Sequence, residues 1–246
     1  EGCNREIYMN TLILAAWYFS LPRVPRRGGL LSTSLRPFPV VLSGLCLALA
    51  STLKTIVAVH WVFLAFWIAW NAWRSTDANR RIKAVVIQLS LFALAPVLVW
   101  LTAYGYFAAT DRLTEFVDAV FLFNLGYSDS SEPFLVRFVR FFHPIEHRFI
   151  FGSALPLWIG AGVSLICLTV EGVVSRKLDS LAAVSLLFAG YVATCLPGRF
   201  WPHYYYLAVP ASVLAVSIAV QRCATWLRRD FSLGASGANF ARVLVY

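Results

Sequence analysis

Charge is scarce in this chain. Asp, Glu, Lys and Arg make up 13% of its 246 residues, about half of the roughly 25% found in soluble domains. That excludes an ordinary water-soluble fold. Chemistry on nucleotides taken from solution has no motif to support it. There is no Walker loop, no dinucleotide fingerprint and no Gly-x-Ser-x-Gly elbow. Cys-x-x-Cys pairs are missing as well. Cys3, Cys46, Cys167, Cys195 and Cys223 mostly fall inside or beside apolar segments, which favours structural thiols over a metal cluster or disulfide framework. No basic n-region with a short apolar core follows Glu1, so no signal peptide is recognisable. The abrupt passage from a polar turn into a membrane segment is what a C-terminal fragment would show. The two halves carry no internal repeat, which argues against the paired half-helices of transporters.

What the chain does have is apolar and aromatic mass. It is 59% hydrophobic with a mean hydropathy of +0.69, and it holds nine Trp, ten Tyr and 19 Phe. A membrane helix needs about 20 mostly apolar residues. Segments near 7–22, 38–53, 55–73, 84–107, 150–173, 180–197 and 203–221 meet or approach that length, so the fold expected is an all-α, polytopic bundle of about seven spans. The stretch 38–73 is too long for one crossing. It is interrupted only by Ser51, Thr52, Lys54 and Thr55, so a tight turn near Lys54 divides it. Pro96 predicts a kink in the fourth span. Residues 108–149 form a long loop, and 222–246 a cytoplasmic tail on the membrane surface or disordered.

The net charge of +9 does not point to nucleic acid, because the basic residues lie between apolar segments. Segments 23–36, 74–83, 174–179 and the tail hold fourteen of the twenty-one Lys and Arg residues. Alternation puts all four on one side, which the positive-inside rule makes the cytoplasm. The Glu1–Glu6 segment, Lys54, the 108–149 loop and Arg199–His203 then share the outer face.

Several outer-face residues bear on chemistry. In Pro197–Pro210, Pro197 and Gly198 end one helix and Pro202 suits the first turn of the next. Arg199, His203 and the tyrosines Tyr204, Tyr205 and Tyr206 lie between. They suit a phosphate-bearing lipid, or equally an aromatic belt with one snorkelling arginine. Lys54 sits near the membrane with little polar company, as a functional cation or a snorkelling one. Glu1 and Glu6 are either solvated or acids poised for a metal ion or an acceptor nucleophile. Asn124, Tyr127 and Asp129 are candidates for binding hydroxylated ligands or for capping a turn. Arg137 and Arg140, beside Phe134, Phe138 and Phe141, suit a stretch in the membrane interface with its arginines among phosphates, most simply as an anchor. His143 and His147 have a metal-like spacing with Glu146, but Pro144 interrupts the helix that spacing needs.

Four stretches carry a resemblance. They are Asn4-Arg-Glu-Ile-Tyr-Met-Asn10, Leu42-Ser-Gly-Leu-Cys-Leu-Ala-Leu-Ala-Ser-Thr-Leu-Lys54, Phe116-Val-Asp-Ala-Val-Phe-Leu-Phe-Asn-Leu-Gly-Tyr127 and Arg199-Phe-Trp-Pro-His-Tyr-Tyr-Tyr-Leu207. In this order the chain resembles bacterial membrane glycosyltransferases of the family 39 type, relatives of protein O-mannosyltransferases and aminoarabinose transferases with the GT-C fold. The resemblance implies sugar transfer at the outer face of the cytoplasmic membrane. The donor would be a polyprenyl-phosphate-linked sugar and the acceptor a lipid, protein or glycan. It puts Glu6 where a second acid of the site lies, and Lys54, Arg199 and His203 near the donor phosphate. Tyr204, Tyr205, Asn124 and Tyr127 join them as substrate-binding candidates. No residue is assigned as a metal ligand, although some members of the family are expected to need a divalent metal ion. The leading catalytic acid would precede Glu1, so this chain alone is expected to be inactive. The alternatives are a non-catalytic membrane scaffold and a transporter or flippase of lipid-linked substrates.

Overall fold

A computed structural model describes residues 5–21, 36–127, 132–142, 152, 154–198 and 202–230, except the side chains at 127, 202, 203, 229 and 230. Among the described residues every regular element is helical. The helices are α1 (Arg5–Ser20), α2 (Pro37–Leu53), α3 (Ala58–Arg74), α4 (Arg81–Ala109), α5 (Leu113–Val117), α6 (Phe123–Tyr127), α7 (Phe134–Arg140), α8 (Leu155–Val174), α9 (Leu178–Cys195), α10 (Pro202–Tyr205) and α11 (Val209–Asp230). A 3-10 turn, Thr55–Val57, leads into α3, and a wide π turn, Asp118–Leu122, joins α5 to α6.

Five helical stretches are long and apolar enough to cross a membrane: Thr55–Arg74, Ala78–Ala109, Leu155–Val174, Leu178–Cys195 and Val209–Arg228. Helices α1 and α2, with 16 and 17 residues, are shorter. The surface agrees with a membrane setting. Helix α4 exposes Ile82, Val86, Leu98 and Leu101, and α8 exposes Ile166 and Val174. Apolar faces of this extent are not left in water by a monomeric soluble protein.

The bundle has two halves. In one, α1 and α4 pack on α2, and α4 also packs on α3; in the other, α8, α9 and α11 pack on one another. The halves meet chiefly where α9 lies against α3, with a smaller contact between α1 and α11. One core joins them, with Met9, Trp17, Leu47, Ile68, Leu186 and Ala215 all buried.

Small residues set the close approaches, as is usual between membrane helices. The tightest is between α2 and α4. Pro96 lacks the N–H that would bond the Phe92 carbonyl four residues earlier. Gly44 fills the space over that carbonyl: a Cβ at position 44 would lie 2.1 Å from Phe92 O and 3.2 Å from Pro96 Cδ. Helix α4 continues through Pro96 from Arg81 to Ala109. The interhelical hydrogen bonds of this half also use small or edge groups. Ser43 Oγ donates to Ala16 O (2.8 Å) and Trp100 Nε1 donates to Ser51 Oγ (3.0 Å).

The division of 38–73 falls where expected. Helix α2 ends at Leu53, and Lys54 is extended, with φ −153° and ψ 128°, before the chain turns into α3. Helix α9 ends at Cys195, and Gly198 follows in the left-handed region at φ 69°. Two boundaries differ most from the sequence expectation. The last span is not one helix from 203. Instead α10 stops at Tyr205, a turn covers 206–208, and α11 begins at Val209 with Pro210 in its first turn. Helix α11 also runs on to Asp230, past the expected end at 221.

Candidate functional site

The first turn of α1, the break between α2 and α3, and the short helix α10 converge at one end of the bundle. Glu6 lies in the first turn of α1, where the helix dipole favours an anion. Lys54 sits just past the last residue of α2, where the dipole favours a cation, and its N–H still bonds back to Ala50 O. Lys54 Nζ is 2.6 Å from Glu6 Oε1, with side-chain exposures of 16% and 11%. The same ammonium lies 4.9 Å from the centroid of the Tyr204 ring. It therefore meets a carboxylate and an aromatic face together, in a largely dehydrated setting where both attractions gain strength.

The backbone around Tyr204 is irregular, and neighbouring helices bind its carbonyls. Asn10, one turn beyond Glu6 on α1, donates from Nδ2 to Tyr206 O at 2.7 Å. Thr194 Oγ1 on α9 is 2.9 Å from its own helix's Gly190 O and 3.2 Å from Tyr204 O. Gly190 is also needed for this approach, since a Cβ there would sit 3.1 Å from Leu207 O. In a membrane, non-helical backbone survives only when buried in protein and bonded in this way. Asn10 and Thr194 were not singled out from the sequence. The i, i+4 spacing of Glu6 and Asn10 was the available signal for the first, and Thr194 had none.

Tyr205 points elsewhere. It is buried among Phe141, Trp158, Cys195 and Tyr191 in a second aromatic cluster, with ring centroids 5.0 Å from Phe141 and 6.2 Å from Trp158. It is therefore a packing residue of the α7–α9 junction. Asn124 is exposed on α6 and donates to Val120 O at 2.7 Å; it is not brought to the cluster. Tyr127 ends α6 and His203 lies within α10, but both side chains are outside the described residues. So are Arg199, Glu1, Asp129, His143, Glu146 and His147.

The expected placement of Arg137 among phosphates needs correction. Arg137 is buried, and it donates from Nη1 to Leu196 O at 2.7 Å and from Nε to Glu132 O at 3.2 Å. The C-terminus of α9 leaves carbonyls without intrahelical donors, and a guanidinium satisfies them at the negative end of the dipole. Arg140 pairs with Glu132 at 2.9 Å. Tyr191 adds a hydrogen bond from its hydroxyl to Phe138 O. The loop is thus anchored on α9, beside the candidate site.

Among the described residues no group of three or more His, Cys, Asp or Glu side chains is placed to hold a metal ion. Comparison with family models, curated proteins and solved structures finds no match to this chain.

Proposed function

We propose that the chain is the membrane bundle of a GT-C-type glycosyltransferase that takes a sugar from a polyprenyl-phosphate donor at the outer face of the cytoplasmic membrane. The acceptor is a lipid, protein or glycan. The observation that carries this reading is the Glu6–Lys54 pair beneath Tyr204. An ammonium has three N–H donors, so Lys54 can hold Glu6 and still offer donors to a phosphate. The Tyr204 face covers the cation without neutralising it.

In this reading α1 and α2 also cross the membrane, giving seven spans. At 1.5 Å per residue they measure roughly 24 and 26 Å. Flanking residues that reach to the interface make up the rest of the ~30 Å core. The reaction is a single inverting displacement. A carboxylate takes the proton of the acceptor hydroxyl, the oxygen attacks the anomeric carbon, and the bond to the polyprenyl phosphate breaks. Lys54 and Arg199 stabilise the departing phosphate. Glu6 holds Lys54 in place and serves as the second acid.

The ion pair also suits a purely structural strut between α1 and the α2–α3 break. Sugar transfer by the complete protein separates the two readings. Lys54→Met takes the ammonium away from the buried Glu6 carboxylate, and breaking a buried pair from one side is destabilising, so the matched variant Glu6→Gln/Lys54→Met is needed. We expect that pair to recover most of the lost stability while transfer stays about 10²- to 10³-fold down. Wild-type transfer in the double variant would leave only the strut. Arg199→Ala should lower turnover more than it lowers expression.

A further inference from the structure

At the opposite end of α3 from Lys54 lies a cleft of about 430 Å³ lined by Trp70, Arg74, Gly172, Val173, Arg176 and Leu181. Its size falls within the ~300–1,000 Å³ of small-molecule sites. It brings together the two basic loops that follow α3 and α8. Carboxylates nearby are already engaged. Glu171 holds Lys177 at 2.5 Å, accepts from Ser180 at 2.6 Å and has Arg222 at 3.6 Å, and Asp179 pairs with Arg222. Arg74 and Arg176 have no such partner among the described residues, and Asp77, three residues beyond Arg74, forms no ion pair with it. Arg74 instead lies over the Trp70 ring, 4.8 Å from its centroid.

Two further observations point to a ligand. Arg176 stands just past the end of α8 at φ 53°, a left-handed position where helices usually place glycine. An arginine there accepts backbone strain, and such strain clusters at binding sites. The wall of the cleft also continues into the lipid-facing side of α8, where Val170, Val173 and Val174 are exposed.

We propose that this cleft binds the phosphate of an anionic diacyl phospholipid, held between Arg74 and Arg176, with its acyl chains along the α8 valines. Guanidiniums without a carboxylate partner among the described residues bind the phosphate, and Trp70 suits the headgroup level. Exposed valines beside the cleft fix the occupant as a lipid in place of a free phosphate. This site lies at the other end of the bundle from Glu6 and Lys54 and does not depend on the glycosyl-transfer reading.

The test uses the complete protein in nanodiscs of phosphatidylcholine with phosphatidylglycerol, with retained lipid counted by native mass spectrometry. Phosphatidylglycerol should be retained in preference to phosphatidylcholine. Arg74→Gln and Arg176→Gly should each weaken that retention about fivefold, while Arg80→Gln, on the same loop but outside the cleft, should leave it unchanged. Arg176→Gly relieves the left-handed backbone, so its melting temperature in neutral detergent should hold or rise as lipid is lost. A headgroup-proximal photoreactive phosphatidylglycerol should cross-link wild-type peptides containing Trp70–Arg74 and 172–181, a readout that needs no variant. The site is overturned if both cleft variants retain lipid normally, if Arg80→Gln loses as much, or if cross-links fall only elsewhere. Equal binding of glycerol phosphate, which has no acyl chains, would overturn the lipid.

Discussion

Gly44 and Pro96 act as one packing device. Proline frees a carbonyl on α4, and the missing side chain at position 44 lets α2 approach it closely. Gly44→Ala would push a methyl group into backbone, which cannot rotate away. We expect a loss of at least the ~1–3 kcal/mol typical of overpacking, seen as a lower melting temperature in detergent. Arg176→Gly should act in the opposite direction, stabilising by about 1 kcal/mol through relief of the left-handed backbone, less the entropy cost of glycine. Individual residues were unevenly readable. Lys54 and Glu6 stood out because polar groups are rare in such surroundings, and they do meet. Tyr204 and Tyr205 could not be told apart. They are adjacent and alike in sequence, but one faces Lys54 and the other the Phe141 cluster.

Helix ends were readable where the backbone itself is constrained. Pro197 and Gly198 follow the end of α9, and Pro202 opens α10, as their covalent geometry requires. The break at 206–208 is not legible in the sequence, because its marker, Pro210, comes after it. The continuation of α11 to Asp230 is not legible either, because charge in Arg222–Asp230 reads as a tail, although charged residues propagate a helix well beyond a membrane surface. Helix α7 taught a different lesson. A pattern of Arg and Phe gives an amphipathic helix, but it cannot name the carbonyl that an arginine will find. Arg137→Met should free α7 from the end of α9 at a cost of about 1.5–3 kcal/mol. Hydrogen exchange should then quicken in 134–140 while the centre of α8 stays protected. Uniform exchange across both helices, or none, would deny Arg137 that tethering role.

Across the bundle, the charges that alternation assigns to two faces gather, among the described residues, at two ends. Glu6, Lys54, Tyr204 and α7 are at one; Arg74, Arg176 and the Glu171 network are at the other. Which end faces the cytoplasm can be read directly in a variant with its native cysteines replaced by serine. A cysteine at Asp77 or Asp179 should react with a membrane-impermeant thiol reagent only after the cells are opened, and one at Thr114 should react in intact cells. The reverse pattern would invert the topology.

That arrangement has a consequence for how the chain is made. In the proposed seven-span topology, α2 and α3 would insert as a hairpin whose tip is Lys54, so an ammonium would have to cross the hydrocarbon during synthesis. Glu6 is translated first and, at the outer end of α1, would already be waiting on the far side. The carboxylate that later holds Lys54 in the folded protein would then also capture it at the end of its crossing. Glu6→Gln should leave a larger fraction of nascent chains with the hairpin tip still inside, measurable by labelling a cysteine at Thr52 or Thr55 during synthesis. An unchanged fraction would confine Glu6 to the finished fold.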